Sequence, residues 1–387
     1  MRMNLVIPLA GEGSRFVEKG IKTPKYLIHV GSKKIIDLVL DTIETSEYEQ
    51  IIFLINENHE LSYGVSRFLQ GLCHNCEVVV IPEITEGTTC TVLWAEKVIR
   101  DQSLPLVIHT SDIWFTPRLK VSELFADGTD GTTLTFKANS PSYSYALDDG
   151  KMVTRTEEKR RISRWANIGV YAFKSFEMFK EYANDAISNK EKTKNEYYIA
   201  PLFNKMLADK KAVSFIRREY VHVVGTPDEH GFYVDHVMRT QKLKVIGVVC
   251  DHSGFAGKNL VLDFLKSHDS MSGIDLGCYS PEPCDYPDFV IPAVKELQSK
   301  RIDFLIAICH SGQGVNIALN KQQGVISCLV YDIESLSLAL RHNCPNALSI
   351  SDRSINYEQI DSFFEMLTSE MFEGGRHSAR LWKLLNS

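Results

Sequence analysis

The sequence predicts an α/β chain of two domains: a mixed sheet with a parallel core, followed by a smaller doubly wound parallel sheet. Three observations predict it. The chain has 387 residues, more than one typical domain needs to bury a core. Runs rich in Val and Ile alternate with longer amphipathic stretches, the rhythm of βα units. That rhythm stops at the polar, basic segment HVMRTQKLK, from His236, and then starts again. The boundary falls near residue 242, giving domains 1–240 and 243–387.

The apolar runs of the first domain begin with MNLVIPLA, IDLVLDTIE, QIIFLIN and CEVVVIPE and continue through PLVIHTSD. TTLTFKAN and the pair RISRWANIG and VYAFKS read as antiparallel strands added to the parallel core. A helical stretch after Tyr197 closes the unit, and AVSFIRREYVHVVGTPDE supplies its last strands. In the second domain KVIGVVCD, SGIDLGCYS, DFLIAICHS, SCLVYD and ALSISD read as strands. VLDFLKSH, DFVIPAVKELQSK and SLSLALRHN read as helices, with one long helix at the C-terminus.

Charge and composition narrow the partners. With 43 Lys+Arg against 49 Asp+Glu the net charge is -6, and there is no long basic run, which argues against a nucleic-acid surface and for small molecules. No apolar run reaches the length of a bilayer span and the opening LVIPLA is cut short by GEGSR, so the chain reads as cytoplasmic, with neither membrane helix nor secretory signal. Nine cysteines without a disulfide rhythm fit a reducing compartment. Cys73 and Cys76 form a CxxC without a second pair at zinc-finger spacing, and read as ordinary thiols.

Two glycine turns carry the chemistry. In LAGEGSRF, Gly11 and Gly13 follow a buried strand, so the backbone can turn tightly and aim N–H groups at an anion, with Arg15 adding charge. KTPKYLIHVGSKKIIDLVL follows. The combination GxGxRF then PKxLIxVxxKxxI resembles the sugar nucleotidyltransferases over roughly Met1 to Thr240, and implies a Rossmann-like mixed-sheet nucleotidyltransferase domain. The likeness continues at TEGTTCTVLWA, LVIHTSDIWF, EEKRRISRWANIGVYAF and VGTPDE with its Gly225. It implies nucleotide contacts at Leu9, Ala10, Gly11, Gly13, Gly87 and Thr88, Lys25 approaching the α-phosphate, and Asp112 binding Mg2+. Glu158, Lys159 and Asn167 stand at sugar-contacting positions, with Lys159 holding the attacking phosphate. Where the family has an aspartate two residues before its late GT, this chain has Val223; a second metal carboxylate is either absent or supplied by Asp228. Gly87 and Thr88 suit a pyrimidine, with CTP the first choice and UTP the second.

In DFLIAICHSGQG a cysteine ends a strand and glycines begin the crossing to a helix, placing Cys309 at the carboxyl edge of the sheet near a helix N-terminus, where thiolate is favoured. Asp251 and His252 end the first strand of the same domain and would share that crevice. DHSGFxxK, DYPDF, CxSGxGxxIAxNK, HN and FEGGRHxxR occur in order across residues 244 to 383. The domain resembles ribose-5-phosphate isomerase type B and galactose-6-phosphate isomerase. The resemblance implies Cys309 as the base, and Ser311 with the amides through Gly312 and Gly314 as the oxyanion cradle. It implies that His342, near Asp251, assists ring opening, that Arg353, Arg376, Arg380 and His252 grip the phosphate, and that Tyr286, Asn320 and Asn343 bind substrate. It also implies at least a homodimer, because a second subunit completes the site. His310 stands where the family has glycine, so a pentose 5-phosphate is a default choice among sugars of four to six carbons.

The expected whole is a bifunctional enzyme that isomerises one sugar phosphate and activates a sugar phosphate with a nucleoside triphosphate, supplying a surface polysaccharide. A rival makes the second domain a sugar-phosphate sensor of the first. Another makes the first a glycosyltransferase using a ready-made nucleotide sugar.

Overall fold

The structure, a computed structural model, describes residues 2–385 except Ser111, Ala126, Asp127, Arg239, Thr240, Gln241 and Ile355. Its contacts divide the chain into two units, Met1–His230 and Gly231–Ser387. Part of the segment HVMRTQKLK, residues 239–241, lies outside the described residues. No helix among the described residues is long and apolar enough to cross a membrane.

In the first unit the strands are β1 (Asn4–Pro8), β2 (His29–Val30), β3 (Lys33–Lys34), β4 (Gln50–Asn56), β5 (Cys76–Ile81), β6 (Leu106–His109), β7 (Ile113–Thr116), β8 (Gly131–Lys137), β9 (Tyr145–Asp148), β10 (Val153–Glu157), β11 (Trp165–Phe173), β12 (Val213–Arg217) and β13 (Tyr220–Val223). The main sheet runs β10-β9-β11-β6-β1-β4-β5, with β8 paired to β11 and β12 to β8. β6, β1, β4 and β5 are parallel, while β11 joins β6 antiparallel, so the sheet is mixed as expected. Alternation drives β1 into place: Leu5 and Ile7 enter one apolar cluster and Val6 the other, on opposite faces of the pleat. β1 lies between β6 and β4, and the chain reverses direction across the sheet there. The carboxyl ends of β1 and β6 therefore border the crevice where open α/β sheets bind ligands.

Three expectations change here. RISRWANIG and VYAFKS are one strand, β11, whose pairing with β8 shifts register between Asn167 and Tyr171. IDLVLDTIE lies mostly in a helix, Ile35–Leu40, because it packs one face on the sheet with Ile36 and Val39. Cys73 and Cys76 are joined sulfur to sulfur, since the turn before β5 brings their Cα atoms to 5.4 Å.

The second unit holds β14 (Val245–Cys250), β15 (Ser272–Asp275), β16 (Phe304–Cys309), β17 (Ser327–Val330) and β18 (Ala347–Ser351) in the order β15-β14-β16-β18-β17, all parallel. β16 is buried along its whole length. Phe304, Ile306 and Ile308 point into one cluster, and Leu305, Ala307 and Cys309 into the other. The strand order reverses between β14 and β16, which puts Asp251 and Cys309 at one switch point. The long C-terminal helix is two helices, Ile360–Ser369 and Arg376–Leu385. They break at Gly374 (φ 72°) and Gly375 (φ 52°), left-handed positions that glycine takes without a Cβ clash.

Candidate functional site

In the first unit, the ends of β1 and β6 open into a cavity of about 520 Å³. Leu9, Ala10, Gly11, Gly13, Lys25, Gly87, Thr88, Asp112, Glu158, Lys159 and Asn167 all line it. Residues from six separate stretches of sequence thus share one space. Thr88 begins the helix Thr88–Leu93, and the turn before it is held by the Tyr197 backbone, which donates to Glu86 O at 2.8 Å and accepts from Thr89 N at 3.0 Å.

Asp112 follows β6. Its Oδ2 accepts from Lys25 Nζ at 3.1 Å. Burial by itself would raise this carboxyl, but Lys25, with help from His109 and Lys159, holds it below the usual carboxylate range. Gly225 approaches so closely that a Cβ there would lie 2.7 Å from Asp112 Oδ2, a contact only glycine avoids. Lys159 Nζ donates to Ser142 O at 2.7 Å and lies 3.5 Å from Glu158 Oε1. Burial raises the Glu158 carboxyl, against the pull of Lys159. Asn167 is engaged at both ends of its amide, accepting from Thr133 Oγ1 at 2.9 Å and donating to Ser144 Oγ at 2.7 Å.

Two expected residues stand apart. Arg15 is exposed and outside the lining, though its charge reaches Tyr198, which lines the cavity. Asp228 is exposed and outside it too. Beside it Glu229 is half-buried, bonded to Tyr143 OH at 3.1 Å and Thr226 Oγ1 at 2.9 Å, its carboxyl raised by burial and by the charge of Asp112. Val223 lines the cavity through the pairing of β13 with β7, which sets it opposite Ile113. One ionised carboxylate, Asp112, therefore fits a divalent cation here, and Asp228 does not.

In the second unit, the carboxyl edge gathers part of the expected set. Cys309 is 4% exposed, and its carbonyl accepts from Asp352 N at 3.0 Å, which brings the turn bearing Arg353 beside it. Tyr286 packs against the cluster that contains Cys309 and Val315. Gly312 caps the helix Gln313–Asn320, which contains Gly314, and Ser311 Oγ accepts from Gln313 N at 3.4 Å. Asp251 Oδ1 holds its own turn, accepting from Ser253 N, Ser253 Oγ and Gly254 N. His252 meets the backbone of Cys284 through Nδ1 at 3.1 Å.

The rest lies at the opposite edge. The helix Ile333–Asn343 runs back along the sheet, so His342 and Asn343 reach the amino end of the strands. There Leu305, at the start of β16, donates to Asn346 O at 3.2 Å. The four residues from Leu305 to Cys309 span roughly 13 Å, which separates His342 from Cys309 and Asp251 within one chain. The expected proximity of His342 to Asp251 is thus absent in a single chain, because helix direction carries the HN motif away. Glu373 N donates to Arg341 O at 2.9 Å, which holds the EGGRH turn, and the helix Arg376–Leu385 with Arg376 and Arg380, at the same amino edge. Asn320, at the far end of its helix, donates to Ser327 O at 2.9 Å and accepts from Ser327 N at 3.0 Å, a structural clasp on β17. Glu373 was missed by the sequence reading; its place in the FEGGRH motif was the available signal.

Comparison with known proteins follows the same division. The Nucleotidyl transferase family model matches residues 5–232, and the Ribose/Galactose Isomerase model residues 246–384. The crystal structure of the nucleoside-diphosphate-sugar pyrophosphorylase from Vibrio cholerae RC9 covers 60% of this chain and 99% of its own, at 22% identity and a TM-score of 0.52, a likeness of fold. The probable ribose-5-phosphate isomerase B of Mycoplasma pneumoniae is 34% identical over 141 residues, 36% of this chain and 92% of the relative. Ribose-5-phosphate isomerase B of Escherichia coli K12 is 30% identical over 139 residues, 36% of this chain and 93% of the relative. The chain therefore belongs to the nucleotidyl transferase family through its first unit and to the ribose/galactose isomerase family through its second.

Proposed function

We propose that this is a bifunctional sugar-phosphate enzyme. Its first unit transfers a nucleotidyl group from a nucleoside triphosphate to a sugar phosphate, with release of pyrophosphate. Its second interconverts an aldose phosphate and a ketose phosphate. The observation that carries the first activity is the single cavity joining the Gly11–Gly13 turn, the Lys25–Asp112 pair and Lys159.

Attack of a sugar-phosphate oxygen on an α-phosphorus needs charge neutralisation and alignment more than covalent help. The turn Leu9–Gly13 would hold the leaving phosphates through its amides. Lys25, already beside Asp112, would swing to the α-phosphate, and Lys159, with Glu158 beside it, would hold the attacking phosphate. Mg2+, held at Asp112, would supply further positive charge to the phosphates. Gly87 and Thr88 would take the base, a cytosine first and a uracil second. A screen of sugar phosphates against the four triphosphates, following pyrophosphate, tests this; no pyrophosphate from any triphosphate, but release of the nucleotide from a ready-made nucleotide sugar, would point to glycosyl transfer.

For the second activity, Cys309 would carry a proton between adjacent carbons through an enediolate, with Ser311 and the amides to Gly314 stabilising the developing oxyanion. The separation of Cys309 from His342 in one chain supports a homodimer in which each copy lends His342, Arg376 and Arg380 to the other's Cys309. A groove of about 520 Å³ along the helix Ile333–Asn343, lined by Tyr331, Leu338, His342 and Asn343, offers a surface for that second copy. The fusion of two sugar-phosphate activities supports an order of isomerisation before activation, with the product supplied to a surface polysaccharide.

A further inference from the structure

We propose that Glu373 is a positioning residue that fixes the tautomer and orientation of His342 for opening a sugar ring. The inference deepens the isomerase reading and rests on it. Glu373 sits at the hub of three side chains. Its Oε1 accepts from Arg341 Nη2 at 2.7 Å and lies 3.3 Å from His342 Nε2, while Oε2 lies 3.7 Å from His377 Nε2. Its side chain is 13% exposed, and the backbone bond from Glu373 N to Arg341 O keeps it in register with His342.

A carboxylate beside Nε2 draws the imidazole proton to that nitrogen, leaving Nδ1 with a lone pair. The His342 ring is also fixed in plane, stacked on His377 with centroids 4.4 Å apart and planes 2° apart. Burial, then the nearby Arg376, pushes His377 down to about 4, so its ring is neutral and adds no competing charge against Glu373. In a cyclic pentose phosphate, His342 Nδ1 would take the proton from the anomeric hydroxyl. The O–H electrons form the C1 carbonyl, the bond from C1 to the ring oxygen breaks, and its electron pair goes to that oxygen. The imidazolium then returns the same proton to the ring oxygen, so no other reagent is needed. Glu373 stabilises the transient positive charge.

Two histidines and a carboxylate, with donor atoms within 4.8 Å of one another, are also a donor set for a divalent cation. The charges decide against it. Arg341 already occupies Oε1 of Glu373, and Arg376 and Arg380 both press positive charge on His377. That field repels a dication and favours the phosphate end of a sugar.

The test uses the full-length protein with 15N-labelled histidine, together with Glu373→Ala and Glu373→Gln. Imidazole 15N shifts report the tautomer of His342, and turnover is measured on an aldopentose 5-phosphate, which closes a ring, and an aldotetrose 4-phosphate, which cannot. The unaltered protein should hold the Nε2–H tautomer. Glu373→Ala should mix the tautomers and lower kcat on the pentose by about ten- to a hundredfold, with KM little changed and a much smaller loss on the tetrose. Glu373→Gln, whose amide oxygen still accepts from Nε2–H, should keep the tautomer and recover part of the rate. Equal losses on both sugars, an unchanged tautomer in Glu373→Ala, or one equivalent of Zn2+ bound by the protein and lost in His377→Ala would overturn the proposal. If the unaltered protein turns over neither sugar, the isomerase reading fails, and the tautomer comparison alone decides whether Glu373 fixes the ring.

Discussion

The two units place their functional side chains by opposite strategies. In the first, the ends of β1 and β6, the turn at Gly87 and the strand β11 all face one cavity, so one chain gathers most of the expected set. In the second, Cys309 and Asp251 end parallel strands at one edge of the sheet, while His342, Glu373 and His377 lie at the other. A parallel sheet sends every strand's carboxyl end one way and every returning helix's carboxyl end the other. The isomerase site proposed above, which draws on both, would therefore draw on two copies.

The largest expected effect breaks the second site alone. Cys309→Ala should lower isomerisation and C–H exchange with deuterated solvent by about a hundred- to ten-thousandfold, while phosphate binding persists. His342→Ala should likewise be nearly inactive with a cyclic sugar. When the two variants are co-expressed with different tags, random pairing makes half of the dimers mixed, each with one intact site of two. Activity should return to about a quarter of normal. No recovery in isolated mixed dimers would show that both residues act within one chain.

Asp112→Asn should lower nucleotidyl transfer by about a hundred- to a thousandfold and leave isomerisation unchanged, because a charged group at the developing phosphate charge is lost at one site only. Pyrophosphate release and sugar isomerisation measured on the same preparation check this, and equal losses would contradict independent sites.

Gly225→Ala sharpens the geometry. The added Cβ would sit 2.7 Å from Asp112 Oδ2 and push the carboxylate aside, so transfer should fall about tenfold with nucleotide affinity little altered. An unchanged kcat would mean that the position of Asp112 does not govern the rate.

The smallest effect concerns stability. His109 is fully buried beneath the first site, with Thr42 Oγ1 at 2.8 Å and Thr110 O at 2.6 Å, and burial lowers its pKa to about 4. Because the folded value lies below the unfolded one, the unfolded chain binds the extra proton first. Stability should therefore fall as pH drops from about 6.5 toward about 4, by at most on the order of 3 kcal/mol. Denaturant melts of the first unit's signal across that range should show a shallower slope in His109→Gln; an identical slope would remove His109 from the account.

Much of this was legible in one dimension. The continuous apolar runs of β1 and β16 and the restart of alternation at KVIGVVCD specify two α/β units, because a strand buried on both faces must be apolar nearly throughout. Gly11 and Gly13 were identifiable because they turn the chain directly after a buried strand, and Lys25, Asp112 and Lys159 through the resemblance of the motifs around them to the sugar nucleotidyltransferases. What the sequence could not carry was contact across the fold. Arg15 and Asp228 have the right chemistry and the wrong direction. Asn320 turned to clasp Ser327, and Glu373 became a hub only because the turn between two helices packs it on Arg341 and His342. The sequence by itself determined which units form and which side chains end their strands. Only the tertiary structure decided which of those ends meet, since the directions of strands and returning helices, and not residue type, set the edge at which each side chain emerges.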